Sequence, residues 1–128
     1  MILVDACVIF DHTRGRDPRL AGWFAALPVA ICGVTRAEVL AGVRSPVHRA
    51  RLVALLSQFA QVPTPEALWD TTGDHLAVLR SSGVTIPFAD AVIATVAIAN
   101  DIELWTRDAH FALVQQVLPA LKLFVEPP

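Results

Sequence analysis

The feature that most constrains the fold is an alternation of short apolar segments, rich in β-branched residues, with longer segments of helical periodicity. Strands separated by helices need crossover connections, which pair the strands in parallel and cover both faces of the sheet. The sequence therefore predicts an α/β fold in three layers, α/β/α, around a short and mainly parallel sheet of four or five strands. Strands are predicted at residues 2–5, 29–34, 103–106 and 122–125, with a brief apolar segment at 60–63. Helices are predicted at residues 8–15, 18–27, 35–43, 46–59, 65–81, 88–100 and 108–118.

Particular residues mark where several of these helices begin. Thr35, with Glu38 three residues later, fits the S/T-x-x-E capping box and opens a helix that runs to about residue 43. Pro18 lies near the start of its helix, and Pro46 and Pro87 open the helices that follow them, as suits a residue without a backbone N–H. The segment after Pro87 is apolar almost throughout, so it is predicted to be the most buried helix.

Length and composition fit a single domain, residues 1–128, in a reducing compartment. The chain is 55% hydrophobic, but its longest apolar stretches end after about ten residues, against roughly 20 for a membrane span. The opening segment MILVDACVIF lacks basic residues and contains Asp5, which argues against a signal peptide. Cys7 and Cys32 are too few for a disulfide framework or a CxxC metal site, so a cytoplasmic location is expected. The apolar surplus suggests burial against a partner or a second copy of the chain.

Charge is unevenly distributed along a chain whose net charge is −2. Residues 1–60 carry seven arginines against four acids, and residues 61–128 carry three basic residues against eight acids, so the halves differ in sign, +3 and −5. A basic half that binds phosphate and an acidic pocket that binds metal would suit one nucleic-acid enzyme. Charge alone favours a simpler explanation, which is ordinary solvated faces.

Four carboxylates stand near the ends of predicted elements. Asp5 closes the first strand, and Asp108 follows the strand at 103–106 by two residues. Glu38 and Asp90 each lie in the first turn of a predicted helix. Each carboxylate has a local explanation, as a strand end, an N-cap, part of a capping box or a partner of the helix dipole. In a parallel sheet, however, all four positions can lie at one edge, where such sheets bind their ligands.

Repulsion between these carboxylates predicts a bound cation. Two carboxylates about 4 Å apart repel by roughly 4 kcal/mol at an effective dielectric constant near 20, so four in one cleft need compensation. Oxygen ligands suit the hard ions Mg²⁺ and Mn²⁺, which activate water and clamp a phosphodiester in line. Zinc is disfavoured, because there is no HExxH or CxxC motif and the four histidines lack paired spacing: His12, His48, His75 and His110.

The same carboxylates lie in motifs that resemble those of PIN-domain ribonucleases, in particular the VapC toxins of bacterial toxin–antitoxin pairs. The resemblance covers essentially the whole chain. Its most specific parts are D-A-x-I-A-x-x-A at residues 90–97 and W-T-R-D-x-x-F at 105–111, in the expected order after the first Asp and the Glu. The full motifs are VDACVIFD at 4–11, TRAEVLAG at 35–42, FADAVIATVAIAN at 88–100 and ELWTRDAHF at 103–111.

The resemblance implies a PIN-type α/β/α domain with metal-dependent endoribonuclease activity. It implies that one or two Mg²⁺ or Mn²⁺ ions bind the acidic quartet, Asp5, Glu38, Asp90 and Asp108. Thr106 matches a family residue that lies beside the site and orients a carboxylate or a water. The resemblance also implies an RNA substrate, a homodimer or higher assembly, and a small cognate antitoxin whose C-terminal segment covers the acidic cleft.

In the mechanism that follows, a metal-activated water attacks the scissile phosphorus in line, with Glu38 as direct or water-mediated ligand and general base. Binding of the RNA backbone is expected from arginines of the basic half, and such contacts weaken steeply with salt. Exposed solvated side chains are the simpler explanation for at least half of these candidates: Arg14, Arg16, Arg36 and Arg44.

One departure from the family pattern bears on the alternatives. After the first Asp the family commonly has Thr or Ser in the next two positions, and this chain has Ala6 and Cys7. A hydroxyl that would orient Asp5 is therefore expected to be missing, since a thiol is a weak donor. The departure is the only support for a non-catalytic PIN-like interaction module. A phosphotransferase of the haloacid-dehalogenase type is disfavoured, because position 7 is not acidic and the only lysine is Lys122.

Overall fold

The computed structural model describes residues 1–128, which form five strands and seven helices. The strands are β1 (Ile2–Val4), β2 (Val29–Cys32), β3 (Ala60–Val62), β4 (Glu103–Trp105) and β5 (Lys122–Leu123). The helices are α1 (Ala6–Thr13), α2 (Leu20–Ala26), α3 (Gly33–Ala41), α4 (Pro46–Leu56), α5 (Ala67–Ser81), α6 (Phe88–Ala99) and α7 (His110–Val117). No helix combines the length and the hydropathy that spanning a membrane requires.

The strands form one sheet in the order β3-β2-β1-β4-β5, and every neighbouring pair is parallel. β1 lies at the centre, with Leu3 opposite Ala30 of β2 and Leu104 of β4. The predicted α/β fold is confirmed. The sheet has five strands and is parallel throughout, because at least one helix separates each pair of successive strands.

Two apolar clusters, one on each face of the sheet, produce the three layers. Alternate residues of a strand point to opposite faces, so Leu3 joins one cluster while Ile2 and Val4 join the other. The cluster around Leu3 includes residues of α5, α6 and α7, and the cluster around Val4 includes residues of α1 to α4. α6 is buried continuously over residues 91–97, in agreement with its apolar sequence.

After β1 the chain adds β2 and then β3 on one side of it. The chain then crosses to the other side of β1, where it adds β4 and β5. The topological switch point therefore lies between β1 and β4, and α/β proteins bind ligands there, beyond the carboxyl ends of the strands. Asp5 directly follows β1 and Thr106 directly follows β4. The backbone N–H of Asp5 donates to the carbonyl of Trp105 at 2.9 Å, which ties the two strand ends together.

The predicted capping box at the start of α3 is wrong. α3 begins at Gly33, with Cys32 as its N-cap and no side-chain bond at the cap. Thr35 is the third residue of the helix and is fully buried. Its hydroxyl donates to the carbonyl of Val4 at 3.4 Å. Because Thr35 binds the end of β1 instead of its own helix, Glu38 has no capping role and lies in the second turn of α3.

Several other helices begin two residues from their predicted start. α1 begins at Ala6, because Asp5 is its N-cap: its backbone is extended and its Oδ1 accepts a hydrogen bond from the Ala6 N–H at 2.8 Å. α2 begins only at Leu20 and α7 only at His110, so the residues predicted to open them lie in the preceding loops. The junction of β1 and α1 thus fixes the Asp5 backbone at the carboxyl edge of the sheet.

Candidate active site

Asp5 is held at the switch point by donors from two separate segments. The Thr106 hydroxyl donates to Asp5 Oδ2 at 2.8 Å, and the Cys7 thiol donates to the same oxygen at 3.3 Å. Thr106 is itself fixed, because its hydroxyl oxygen accepts the backbone N–H of Asp108 at 3.1 Å. Asp5 is 5% exposed, and none of these donors is a cation. The carboxylate is therefore oriented by its surroundings without being neutralised.

Cys7 supplies a thiol donor to Asp5 at a position where the family commonly has a hydroxyl. Burial, followed by the charge of Asp5, raises the pKa of Cys7 to about 11, so the thiol keeps its proton at neutral pH. The sulfur also accepts the backbone N–H of Arg107 at 3.4 Å. Positions 6 and 7 carry no hydroxyl, and the Thr106 hydroxyl and the neutral Cys7 thiol orient the Asp5 carboxylate instead.

Glu38 carries a buried oxygen that nothing binds. Its Oε1 is inaccessible to solvent and has no hydrogen-bond partner. Burial raises the pKa of Glu38, and the negative charges of Asp5 and Asp90 raise it further. Glu38 therefore lies close enough to those two carboxylates for their charges to act on it.

Asp90 is the only charged residue of α6. It lies in the first turn of that helix, whose N-cap is Pro87. Burial raises the pKa of Asp90, the charge of Asp5 raises it further, and His110 acts in the opposite direction. An otherwise apolar helix thus delivers a single carboxylate to the cleft. We call Asp5, Glu38, Asp90 and Asp108 together the acidic cleft.

His110 lies between the two carboxylates at the far end of the acidic cleft. Its Nδ1 is 2.8 Å from Asp108 Oδ1, and its Nε2 is 2.9 Å from Asp90 Oδ2. Ligand atoms of these three residues all lie within 4.8 Å of one another. His110 is not among the predicted site residues, because it belongs to no paired-histidine motif. The signal that could have found it is its place two residues after Asp108, in the first turn of α7.

The donor set of the acidic cleft fits a divalent cation. No arginine or lysine forms an ion pair with any of its four carboxylates. Glu38 Oε1 and His110 Nε2 are the two buried side-chain polar atoms without a hydrogen-bond partner, and both belong to this site. Buried polar atoms are normally satisfied, and a bound cation together with its water ligands would supply the missing partners here.

A second group of carboxylates lies behind the loop that follows β4, and it is fully paired. Arg107 Nε and Nη2 donate to Glu126 at 2.7 and 2.9 Å, Nη1 donates to Asp11 at 2.9 Å, and Nη2 donates to Asp17 at 2.7 Å. Arg19 and then Arg107 lower the pKa of Asp17, and Arg107 lowers that of Glu126. We call Arg107 and its three acids the arginine network. The sequence did not predict it.

Two of the predicted RNA-binding arginines line one pocket beside α3. Arg14 and Arg44 enclose a cavity of about 270 Å³ together with His48 of α4. The guanidinium of Arg14 lies 4.5 Å from the centre of the Phe10 ring, which holds it over the end of α1. This pocket is the most concentrated positive surface among the predicted residues.

The other two predicted arginines have different surroundings. Arg16 is exposed, and its guanidinium pairs with Asp11 at 3.4 Å. Asp11 also belongs to the arginine network. Arg36 is half-buried in α3, two residues before Glu38. Residues two positions apart on a helix do not face each other, so Arg36 and Glu38 point to different sides of α3. Arg16 is committed to its ion pair.

The amino-acid sequence matches the model of a known protein family. The family model described as PIN domain matches residues 2–116. The chain belongs to the PIN-domain family. The predicted resemblance is thereby confirmed, and the acidic cleft lies at the sheet edge of a PIN domain.

Individual relatives match over almost the whole chain. Ribonuclease VapC10 from Mycobacterium tuberculosis is 33% identical over an alignment 128 residues long. The alignment covers 93% of this chain and 92% of that protein. The structure of VapBC2 from Rickettsia felis, bound to a DNA fragment from their promoter, has a TM-score of 0.80 at 20% identity and covers 97% and 98% of the two chains. A toxin–antitoxin complex from Klebsiella pneumoniae has a TM-score of 0.72 at 20% identity, covering 94% and 95%. These structural similarities establish the shared fold.

Proposed function

We propose that this single PIN domain, residues 1–128, is a metal-dependent endoribonuclease and the toxin of a toxin–antitoxin pair. One observation carries the proposal: the carboxylates of the acidic cleft come from four separate elements, and no arginine or lysine neutralises them. Four carboxylates in a partly buried cleft, without an arginine or lysine partner, call for a bound cation. The similarity to ribonuclease VapC10 supports RNA as the substrate.

The metal ligands in this proposal are Asp5, Asp90 and Asp108, with Glu38 as a direct or water-mediated ligand. Bound Mg²⁺ or Mn²⁺ supplies two things, activation of a water and stabilisation of charge on the scissile phosphate. The chain supplies orientation: Thr106 and Cys7 fix Asp5 Oδ2, so the carboxylate does not reorganise during the reaction.

Glu38 acts as the general base in the proposed reaction. Its Oε1, which has no other partner, accepts a proton from the attacking water. The raised pKa of Glu38 moves it towards neutral pH, where proton transfer is most effective. Attack on phosphorus breaks the bond to the 3′ oxygen, which leaves with a proton from solvent, so the products carry a 3′-hydroxyl and a 5′-phosphate.

The RNA backbone lies across the positive surface in this proposal. Arg14 and Arg44 contact phosphates from the pocket beside α3. Arg16 contributes least, since Asp11 already neutralises it. Binding then depends strongly on salt, because each phosphate contact releases a counterion.

Protein partners follow from similarity and from the surface. A cognate antitoxin is proposed because the similar Klebsiella pneumoniae structure is a toxin–antitoxin complex. A homodimer is supported by exposed apolar side chains on three helices of one layer, namely Trp69, Val78, Phe88 and Leu113. Cys7 and Cys32 are both free, which fits the reducing cytoplasm as the compartment.

The direct test is cleavage of total RNA by the purified, antitoxin-free protein. We expect cleavage with Mg²⁺ or Mn²⁺, none after chelation, and none with Asp5→Asn. Asp70→Asn is the matched control, because Asp70 is an exposed acid of α5 outside the cleft. Full activity of Asp5→Asn, or cleavage that persists after chelation, would overturn the proposal.

A non-catalytic interaction module is the alternative function. Its support is the Ala6-Cys7 departure, and the hydrogen bond from the Cys7 thiol to Asp5 weakens that support. Calorimetric titration with Mn²⁺ separates the two functions, since a module without metal binding gives no heat of binding.

A further inference from the structure

His110 occupies a place in the acidic cleft that the proposed mechanism does not use. It is the first residue of α7, and it reaches back to Asp108 in the loop and across to Asp90 of α6. Its side chain is 28% exposed, so the ring is largely enclosed. Of the ionisable side chains in the molecule, His110 is the only one capable of positive charge that contacts the cleft carboxylates.

The contact between His110 and Asp90 is short, and its angular geometry is poor for a hydrogen bond. Nε2 lies 2.9 Å from Asp90 Oδ2, yet this buried nitrogen has no partner in hydrogen-bond geometry. Two ligands at right angles on one cation, each about 2.1 Å from it, lie about 3 Å apart. The spacing of Nε2 and Oδ2 therefore matches adjacent corners of a coordination shell.

The third member of the group contacts the other ring nitrogen, because Asp108 Oδ1 is 2.8 Å from Nδ1. Asp108 lies on the other side of the ring, and the ligand atoms of Asp90, Asp108 and His110 fall within 4.8 Å of one another. Asp5 and Glu38 are not part of this tight group. Asp5 instead has both carboxylate oxygens bound by protein donors, Oδ1 by the Ala6 N–H and Oδ2 by Thr106 and Cys7.

We propose that His110 is a metal ligand of this site through Nε2, together with Asp90, and that this nitrogen makes the site selective for Mn²⁺ over Mg²⁺. The inference rests on the proposed function, because it concerns the same metal site. Mg²⁺ is held through carboxylates and waters, whereas transition-metal ions accept an imidazole nitrogen. A single nitrogen donor among oxygens therefore discriminates between the two ions.

The first test detects the nitrogen directly. The full chain is labelled with ¹⁵N-histidine, stripped of metal and loaded with Mn²⁺, and electron spin-echo modulation is recorded. We expect coupling of Mn²⁺ to one ¹⁵N nucleus in the wild-type protein and in His48→Ala, since His48 lies in the pocket beside α3. Loss of that coupling is expected in His110→Ala.

The second test compares affinities by calorimetry. His110→Ala is expected to weaken Mn²⁺ binding about tenfold or more, while Mg²⁺ binding changes less than about threefold. Wild-type protein should bind Mn²⁺ more tightly than Mg²⁺. The wild-type labelling experiment stands whether or not His110→Ala folds.

The outcomes separate this inference from the proposed function. If Mn²⁺ binds without ¹⁵N coupling and RNA is cleaved, the His110 inference is overturned and the ribonuclease proposal stands. If neither Mn²⁺ nor Mg²⁺ binds and RNA is not cleaved, the proposed function fails as well. Equal Mn²⁺ affinity of wild type and His110→Ala also overturns the inference.

Discussion

The acidic cleft and the arginine network meet at the loop after β4, and their carboxylates have opposite environments. In the network, every acid bonds to Arg107, and the pKa values of Asp17 and Glu126 are lowered. In the cleft, no arginine or lysine approaches, and the pKa values of Glu38 and Asp90 are raised. The fold neutralises one group of acids and leaves its neighbour uncompensated. That difference separates acids paired with arginine from acids that we propose are available for a cation.

The largest expected effect comes from neutralising one acid of each group. Asp90→Asn should lower RNA cleavage about 100-fold or more, because it removes a proposed metal ligand. Asp11→Asn should leave cleavage within about threefold, because Asp11 binds only arginines. Cleavage rates at saturating Mn²⁺ measure both. A comparable loss of activity in the two variants would erase the distinction between cleft and network.

Removing the central cation of the network should affect stability most. Arg107→Met leaves Asp11, Asp17 and Glu126 without their shared donor, so we expect the free energy of unfolding to fall by about 2–3 kcal/mol. Urea denaturation measures it. Arg16→Met is the matched control, since its exposed ion pair with Asp11 contributes about 0.5 kcal/mol or less. If the two variants unfold alike, the network is not a stabilising unit.

The two groups should also respond to pH with opposite sign. A lowered pKa means that Glu126 stabilises the fold above its unfolded pKa of about 4.3, and this is lost as pH falls through the folded pKa. A raised pKa means that charged Glu38 destabilises the metal-free fold at neutral pH, and this is relieved as pH falls through its folded pKa.

Matched glutamine variants convert this contrast into a measurement. At pH 7, metal-free Glu38→Gln should be more stable than wild type and Glu126→Gln less stable. Both differences should shrink towards pH 4, because the wild-type carboxyls become protonated. Urea denaturation at the two pH values checks the signs. A destabilised Glu38→Gln at pH 7 would contradict the assignment of Glu38 to an uncompensated site.

The smallest effect is expected at Cys7, which touches both regions. Cys7→Ser keeps a donor to Asp5, so cleavage should change by less than about threefold. Cys7→Ala removes that donor but leaves the Thr106 hydroxyl in place, so its loss should be larger than that of Cys7→Ser and far smaller than that of Asp90→Asn. A loss in Cys7→Ala equal to that of Asp90→Asn would mean that the thiol is essential and that Thr106 does not hold Asp5 by itself.

Local patterns predicted the parallel α/β fold, and the acids they singled out do lie around the switch point. Asp5 and Asp90 were accessible to this reasoning because each is a charge in an apolar segment, which requires an explanation. The predicted capping box is wrong because the Thr35 hydroxyl donates to the Val4 carbonyl instead of capping the helix. This contact joins residues far apart in sequence, so no local pattern predicts it.

Partners that come from distant segments left no local signal. Arg107 binds residues 96, 90 and 19 positions away, so its place in the W-T-R-D motif gives no hint of them. His110 of α7 contacts Asp90 of α6. Paired histidine spacing does not indicate a site that contains one histidine. Burial and ion pairing in three dimensions decide these roles.

The most direct test of the uncompensated cleft is the thermal stability of wild type and Asp90→Asn with and without Mn²⁺. Without metal, Asp90→Asn should melt above wild type, because it removes one repelling charge whose pKa is raised. With Mn²⁺ at 100 times its dissociation constant, wild type should gain about 2.7 kcal/mol, and Asp90→Asn should gain little. A metal-free Asp90→Asn that melts below wild type, together with a wild type that Mn²⁺ does not stabilise, would contradict the account.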